Sequence, residues 1–222
     1  MPETILLIAP HPDDEILGAG GTLLLHQQMG DKIHVVYVTE RKVPDWNATD
    51  VELHCKCRDR VLDSLGLSSY ISLGFPDSRL DTIPQRELND ALSVAIKNIK
   101  PTIVYIPHRG DLNLDHRLVF QSALVATRTK VFPVRKILSY EVLSSTEKGR
   151  KVCCFDPNVF IDITSTIDRK LNLLEMYEGE MNNCDPDRTS ENIRTLARFR
   201  GIEGGFDYAE AFCLIRETIT GV

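Results

Sequence analysis

At 222 residues, with a net charge of −6, 42% hydrophobic and 26% charged residues, the chain has the make-up of one globular domain over 1–222, long enough for a proper core. The acidic balance argues against a nucleic-acid binder or a protein of acidic membrane surfaces, since both call for a basic face. No apolar run nears the ~20 residues of a membrane span, and the segment Ile5 to Ala9 lacks the basic flank of a signal peptide, so the expected location is the cytoplasm.

Thr4 to Ala9 (TILLIA) reads as a buried strand, and Glu15 to Met29 as a helix that stops near Gly30. Ile33 to Val38 is a β-branched strand, Val51 to Leu65 has helical spacing up to Gly66, and Tyr70 to Leu73 is a short strand. Pro84 to Ile99 is a helix opened by proline, Thr102 to Ile106 the next strand, and Asp115 to Thr127 the next helix. After Val134 the pattern loosens. Lys136 to Tyr140, Val159 to Asp162 and Tyr208 to Ile215 read as strands, and Ser165 to Tyr177 and Ser190 to Arg200 as helices. Continuous apolar strands separated by helices predict a doubly wound, Rossmann-like α/β fold: a mostly parallel sheet with helices on both faces. The later elements are expected on the same sheet.

The cysteines, Cys55, Cys57, Cys153, Cys154, Cys184 and Cys213, lack the paired two-residue spacing of a zinc ribbon and read as idle thiols of a reducing compartment. Internal repeats are absent.

In open α/β sheets the ligand site lies beyond the carboxyl ends of the strands. The segments that follow the first four predicted strands are PHPDDE, TERK, GFPDSR and PHRGDLNLDH. These polar clusters fall at one edge of the sheet, and that edge is the expected site. Taken alone, Asp13, Asp14 and Glu15 are ordinary acids of a helix start. However, His11 and Asp14, three apart, can point to one spot, and zinc accepts both donor types. A catalytic zinc needs a third protein ligand and an open position for water. His116 offers that ligand at another helix start, where Asp115 could equally be a plain cap or the carboxylate that orients the imidazole.

His11-Pro12-Asp13-Asp14-Glu15 after a strand, followed by Gly20-Gly21-Thr22, resembles the LmbE-like or PIG-L family of zinc-dependent de-N-acetylases. Asp115-His116 matches the family's second motif. The segments LGFPD (Leu73 to Asp77), SYEVLSSTE (Ser139 to Glu147) and RGIEGGFDYAEAF (Arg200 to Phe212) carry the resemblance through nearly the whole chain. The resemblance implies one zinc ion held by His11, Asp14 and His116, with Asp13 as general base. The implied substrate is a small N-acetylated molecule, an amino sugar or its conjugate, hydrolysed to acetate and a free amine. Asp77 would hold sugar hydroxyls, although a turn residue after Pro76 is an equal reading. Arg41 and Arg79 stand in loops as candidates for a phosphate or hydroxyl, against the plainer reading of solvated arginines.

One departure concerns the proton. Many relatives carry His-x-Asp-His where this chain has Asn113-Leu114-Asp115-His116. An amide can donate to an oxyanion but cannot act as a titrating acid, which leaves Asp13 or His108 to return the proton. His108 is equally a structural histidine at a strand end. His54 and Cys57 stand where relatives often have Arg and Glu.

The rival readings are a metal-dependent amidase of a non-sugar small molecule, a metal-binding inactive relative, and a nucleotide binder using Gly18-Ala19-Gly20-Gly21. That run does not fit G-x-G-x-x-G and lies inside the predicted helix, where close packing on the sheet explains it better. The metal could be another divalent ion, because His/Asp ligation does not select zinc uniquely. By analogy alone, the apolar C-terminal third offers an interface for a homo-oligomer.

Overall fold

A computed structural model describes residues 2–128, 134–177 and 186–219. Among these residues seven strands form one sheet: β1 (Thr4–Ala9), β2 (Lys32–Glu40), β3 (Ser69–Pro76), β4 (Ile103–Pro107), β5 (Lys136–Tyr140), β6 (Val159–Asp162) and β7 (Ala209–Glu217). Their order is β3-β2-β1-β4-β5-β7-β6. The first five run parallel, and β7 is antiparallel to both of its neighbours. The late strands therefore join the main sheet, as expected.

Among the described residues six helices connect or flank the strands: α1 (Asp14–Met29), α2 (Ala48–Leu65), α3 (Gln85–Ile99), α4 (Leu114–Ala126), α5 (Ile167–Glu175) and α6 (Ser190–Gly204). They divide between the two faces because β1 is buried on both. Ile5, Leu7 and Ala9 join the core under α1, α2, α5 and α6, whereas Leu6 and Ile8 join the core under α3 and α4. Each predicted element is present within a few residues. β3 runs past its predicted end at Leu73 because an extra residue is accommodated where its register against β2 shifts, next to Gly74 at φ 69°. α5 is shorter than the predicted Ser165 to Tyr177 helix.

The glycine run of α1 is close-packed. A Cβ on Gly18 would lie 2.2 Å from the Tyr140 ring, and one on Gly21 would lie 2.8 Å from Ile163. The Tyr140 hydroxyl donates to the Ile8 carbonyl at 2.9 Å, which ties this packing to β1. With that space filled, the run has no room to cradle a nucleotide phosphate. Cys55, Cys57, Cys153, Cys154 and Cys213 are free thiols, and Cys184 lies outside the described residues. Among the described residues no helix is long and apolar enough to cross a membrane.

Candidate metal centre

The sheet order brings the two polar motifs together. β1 and β4 are direct neighbours, so the segments beyond their carboxyl ends meet although 105 residues separate His11 from His116. The first segment is anchored through Pro10, whose carbonyl accepts both the amide and the hydroxyl of Thr39 on β2. His11 then turns back, and its amide donates to Asp14 Oδ2 at 2.9 Å. The second segment is set by a cap: Asn113 Oδ1 accepts the Asp115 amide at 2.9 Å and starts α4, which carries His116 in its first turn.

Three donor atoms converge between these segments. Asp14 Oδ2 lies 3.2 Å from His11 Nδ1 and 3.3 Å from His116 Nε2, and the two imidazole nitrogens are 3.3 Å apart. Ligands held about 2.0–2.2 Å from one tetrahedral ion stand about 3.3–3.6 Å apart, so these atoms have the spacing of one face of such a site. The donor set, two imidazoles and a carboxylate, also fits a catalytic divalent ion, which uses three protein ligands and keeps a position open.

Each imidazole is backed by a carboxylate on its other nitrogen. His11 Nε2 lies 3.2 Å from Asp115 Oδ2 and 3.4 Å from Asp77 Oδ1. His116 Nδ1 lies 3.2 Å from Asp111 Oδ2. Such partners fix the ring and its tautomer toward a metal. The expectation that Asp115 orients His116 is corrected here. Asp115 serves His11, and its oxygens also accept the Ser78 and Leu80 amides at 2.9 and 3.1 Å. The carboxylate beside His116 is Asp111, which was missed. It is fully buried and accepts from the Asn113 amide and from the hydroxyls of Ser145 and Thr146. His11, Asp77 and Asp115 also cluster tightly enough to hold an ion, but they share His11 with the first group. Its Nε2 is better used as a donor to the two carboxylates.

The acids outnumber the cations, and the protonation states follow from that. Burial disfavours a charged His116, yet Asp14 and Asp111 outweigh it and raise the imidazole to about 9. Burial likewise opposes charge on His11, and Asp115 and Asp14 reverse it, holding the group well above its ordinary range. In the same field Asp14 is driven low: burial pushes upward, and His116 and His11 prevail. Without a metal, protons on the imidazoles supply the missing positive charge. In metal-stripped protein the His116 contribution to stability is fully present below about pH 6.5, the unfolded value, and is lost as pH rises through 9. Urea unfolding of chelator-treated protein is expected to show a loss on the order of 3 kcal/mol between these pH values. With the metal bound the trend should reverse, because protons compete for the ligands.

A cleft opens over the triad, lined by His11, Pro12, Asp13, Asp14, Arg41, Trp46, Asp77, Ser78, Asn113, His116 and Arg188. Asp13 sits on its wall with φ 119° and ψ −32°, a backbone conformation rare outside glycine. That geometry is held by local bonds: the Asp13 amide donates to Glu15 Oε2 at 3.0 Å, and its carbonyl accepts the Ile16 and Leu17 amides. Glu15 is thus a support for the turn. Burial is the main cause that moves its carboxyl up to about 7, against the Tyr177 hydroxyl that bonds it. Arg188, a second residue missed in the sequence, donates to Asp13 Oδ2 at 2.7 Å and to Ser144 Oγ at 2.9 Å. It lies in the polar run DPDRTS, and nothing local in the sequence signals a partner 175 residues away.

The remaining candidates divide. Asp77 and Arg41 are in the cleft, with Arg41 Nε 3.4 Å from Asp77 Oδ2 and its guanidinium 4.2 Å from the centroid of the Trp46 ring. Asn113 lines the cleft as well. Arg79 turns outward and makes an exposed ion pair with Asp45. His108 is buried outside the cleft lining, edge-on to the Phe155 ring at 5.1 Å, and burial lowers its pKa. His54 is also buried, and burial together with Arg41 drives it down to about 4, so it is neutral near neutral pH.

Comparisons with known proteins place the chain among deacetylases. The family model PIG-L, GlcNAc-PI de-N-acetylase, matches residues 6–127. The uncharacterized deacetylase YaiS of Escherichia coli (strain K12) is 35% identical over 151 residues, which span 64% of this chain and 75% of that one. Diacetylchitobiose deacetylase of Thermococcus kodakarensis is 24% identical over 230 residues, spanning 93% of this chain and 80% of that protein. Among solved structures, the conserved protein TT1542 from Thermus thermophilus superposes with a TM-score of 0.79 at 25% identity, over 99% of this chain and 97% of the other.

Proposed function

The chain belongs to the PIG-L family of deacetylases, and from that premise we propose that it is a zinc-dependent de-N-acetylase of an N-acetylated amino sugar or a conjugate of one. The observation that carries this reading is the triangle of His11 Nδ1, Asp14 Oδ2 and His116 Nε2, 3.2–3.3 Å on each side, beneath an open cleft. When bound there, a divalent ion polarises an amide carbonyl and lowers the pKa of water toward neutrality. Asp13, adjacent to a ligand and facing the cleft, takes the proton of the attacking water as the oxygen joins the carbonyl carbon. The same carboxylic acid returns the proton to nitrogen as the C–N bond breaks, leaving acetate and a free amine.

Asn113 keeps one part of the role of the histidine it replaces. Its Oδ1 is committed to the α4 cap, which turns Nδ2 into the free end of the amide, a neutral donor for the carbonyl oxygen as charge builds on it. The proton falls to Asp13, since His108 packs on Phe155 outside the cleft lining. Asp77 and Arg41 supply a charged pair for hydroxyl groups, and the Trp46 ring beside them offers an apolar face to a sugar. In this reading residues 1–222 form one cytoplasmic domain.

Acetate release from a panel of N-acetyl sugars, measured with zinc-loaded protein, tests the reading. Release from at least one member, abolished by chelation and restored by zinc, is the expected result. Zinc uptake without release from any sugar would turn the assignment to a non-sugar amide or to an inactive relative.

A further inference from the structure

The helix that carries Asp14 is interrupted. At Ala19 the backbone of α1 leaves helical geometry, with φ −148° and ψ 17°. In an unbroken helix the Gly21 amide would donate to the Leu17 carbonyl, four residues back. Those two groups instead find partners from distant parts of the chain. Lys170 Nζ, on α5, donates to the Leu17 carbonyl at 2.9 Å, and the Gly21 amide donates to Glu210 Oε1, on β7, at 2.9 Å. The Thr22 amide donates to Glu210 Oε2 at 2.8 Å, and Lys170 and Glu210 join each other at 2.6 Å. An ion pair thus bonds both backbone groups that flank the break. Thr166 completes the setting by donating from Oγ1 to the Gly21 carbonyl at 3.0 Å.

Stability alone is a poor reason for this pair. The two side chains are only 4% and 5% exposed, and the cost of desolvating two charges offsets most of their attraction. An apolar pair of similar volume commonly does as well or better. What an apolar pair cannot do is bond the two backbone groups on either side of the break, and a side chain inserted in the hydrogen-bond ladder is a recognised cause of such kinks. The short segment before the break runs from Asp14 to Gly18 and continues directly from Asp13. Its direction decides where the Asp14 carboxylate lies relative to two imidazoles that come from elsewhere.

We propose that Lys170 and Glu210 are positioning residues for the metal centre: inserted between Leu17 and Gly21, they set the angle of the first turn of α1 so that Asp14 meets His11 and His116. Neither residue lines the cleft, and both lie beyond the residues 6–127 matched by the family model. The inference rests on the metal reading above.

The test replaces both charges together, Lys170→Met with Glu210→Met, so that neither is left buried alone. Zinc affinity is measured by competition with a chromophoric chelator at a temperature where the variant is fully folded, and amide exchange is followed at Gly21 and Thr22. Zinc binding is expected to weaken about 10–100-fold, the usual effect of removing support behind a metal ligand. Wild-type affinity in the folded double variant would overturn the inference and leave the metal reading standing. An unaltered chain that takes up no zinc would overturn the metal reading, and the inference with it. If the double variant does not fold, Glu210→Gln takes its place, since it keeps the shape but has one acceptor for two amides. A tenfold or greater loss supports the proposal there, and unchanged affinity refutes it.

Discussion

His116→Ala is expected to abolish stoichiometric zinc binding and to lower kcat/KM by about a thousandfold or more, as for the loss of one member of a group that acts as a unit. The imidazole is almost wholly buried between Asp14 and Asp111, so its loss takes one of the three converging donor atoms out of the interior. Its removal leaves those two carboxylates facing each other in the interior. That should cost the metal-free protein about 3–5 kcal/mol, the usual penalty for breaking a buried pair from one side. His11→Ala should behave alike, and His108→Ala should not, because that ring packs on Phe155 outside the cleft lining. Metal analysis of the three purified variants, alongside acetate-release kinetics, gives the comparison. Full zinc content in both His11→Ala and His116→Ala would remove these residues as ligands.

For Asp13→Asn the expectation is the opposite split: zinc retained, with kcat reduced about 10²- to 10⁴-fold and KM little changed. Asparagine is the informative substitution because it keeps the size of the side chain and tolerates a positive φ better than most residues. The 119° backbone at this position should therefore survive. What is lost is the capacity to take a proton, together with the charge that Arg188 pairs at 2.7 Å. An Asp13→Asn enzyme that turns over at the parental rate would exclude this carboxylate as the base. Metal loss in the variant would instead mark Asp13 as a ligand.

Where the fold and site could be read from sequence, the information was local. TILLIA announces a doubly buried strand, PHPDDE a polar turn into a helix, and the two motifs stand at strand ends that the α/β pattern sends to one edge. Lys136–Tyr140 and Val159–Asp162 fall within their predicted limits. What escaped depends on distance or direction. The carboxylate behind His116 was sought at Asp115, its neighbour in sequence, but consecutive helical residues point different ways, and the loop residue Asp111 reaches the ring. Arg188 gave no periodic or motif signal. The break in α1 was hidden by the glycine run, whose close packing already accounted for the residues there. Lys170 and Glu210 carry no local signal of their pairing, since only the fold brings α5 and β7 against α1.

In the proposed function the sheet order also separates two tasks. His11, Asp14 and His116 follow the central strands β1 and β4, whereas Arg41, Trp46, Asp77 and Ser78 follow β2 and β3 at one margin. In that reading a change at Arg41 or Trp46 reshapes what the cleft accepts and leaves the triad and its backing carboxylates in place, whereas Asp77 and the Ser78 amide belong to the support behind His11; loops at a sheet's rim are where insertions do least harm. Reaction type and choice of reactant are then carried largely by different parts of one scaffold. An engineer seeking a new substrate would alter positions 41–46 and leave positions 77–78 and the two helix starts untouched.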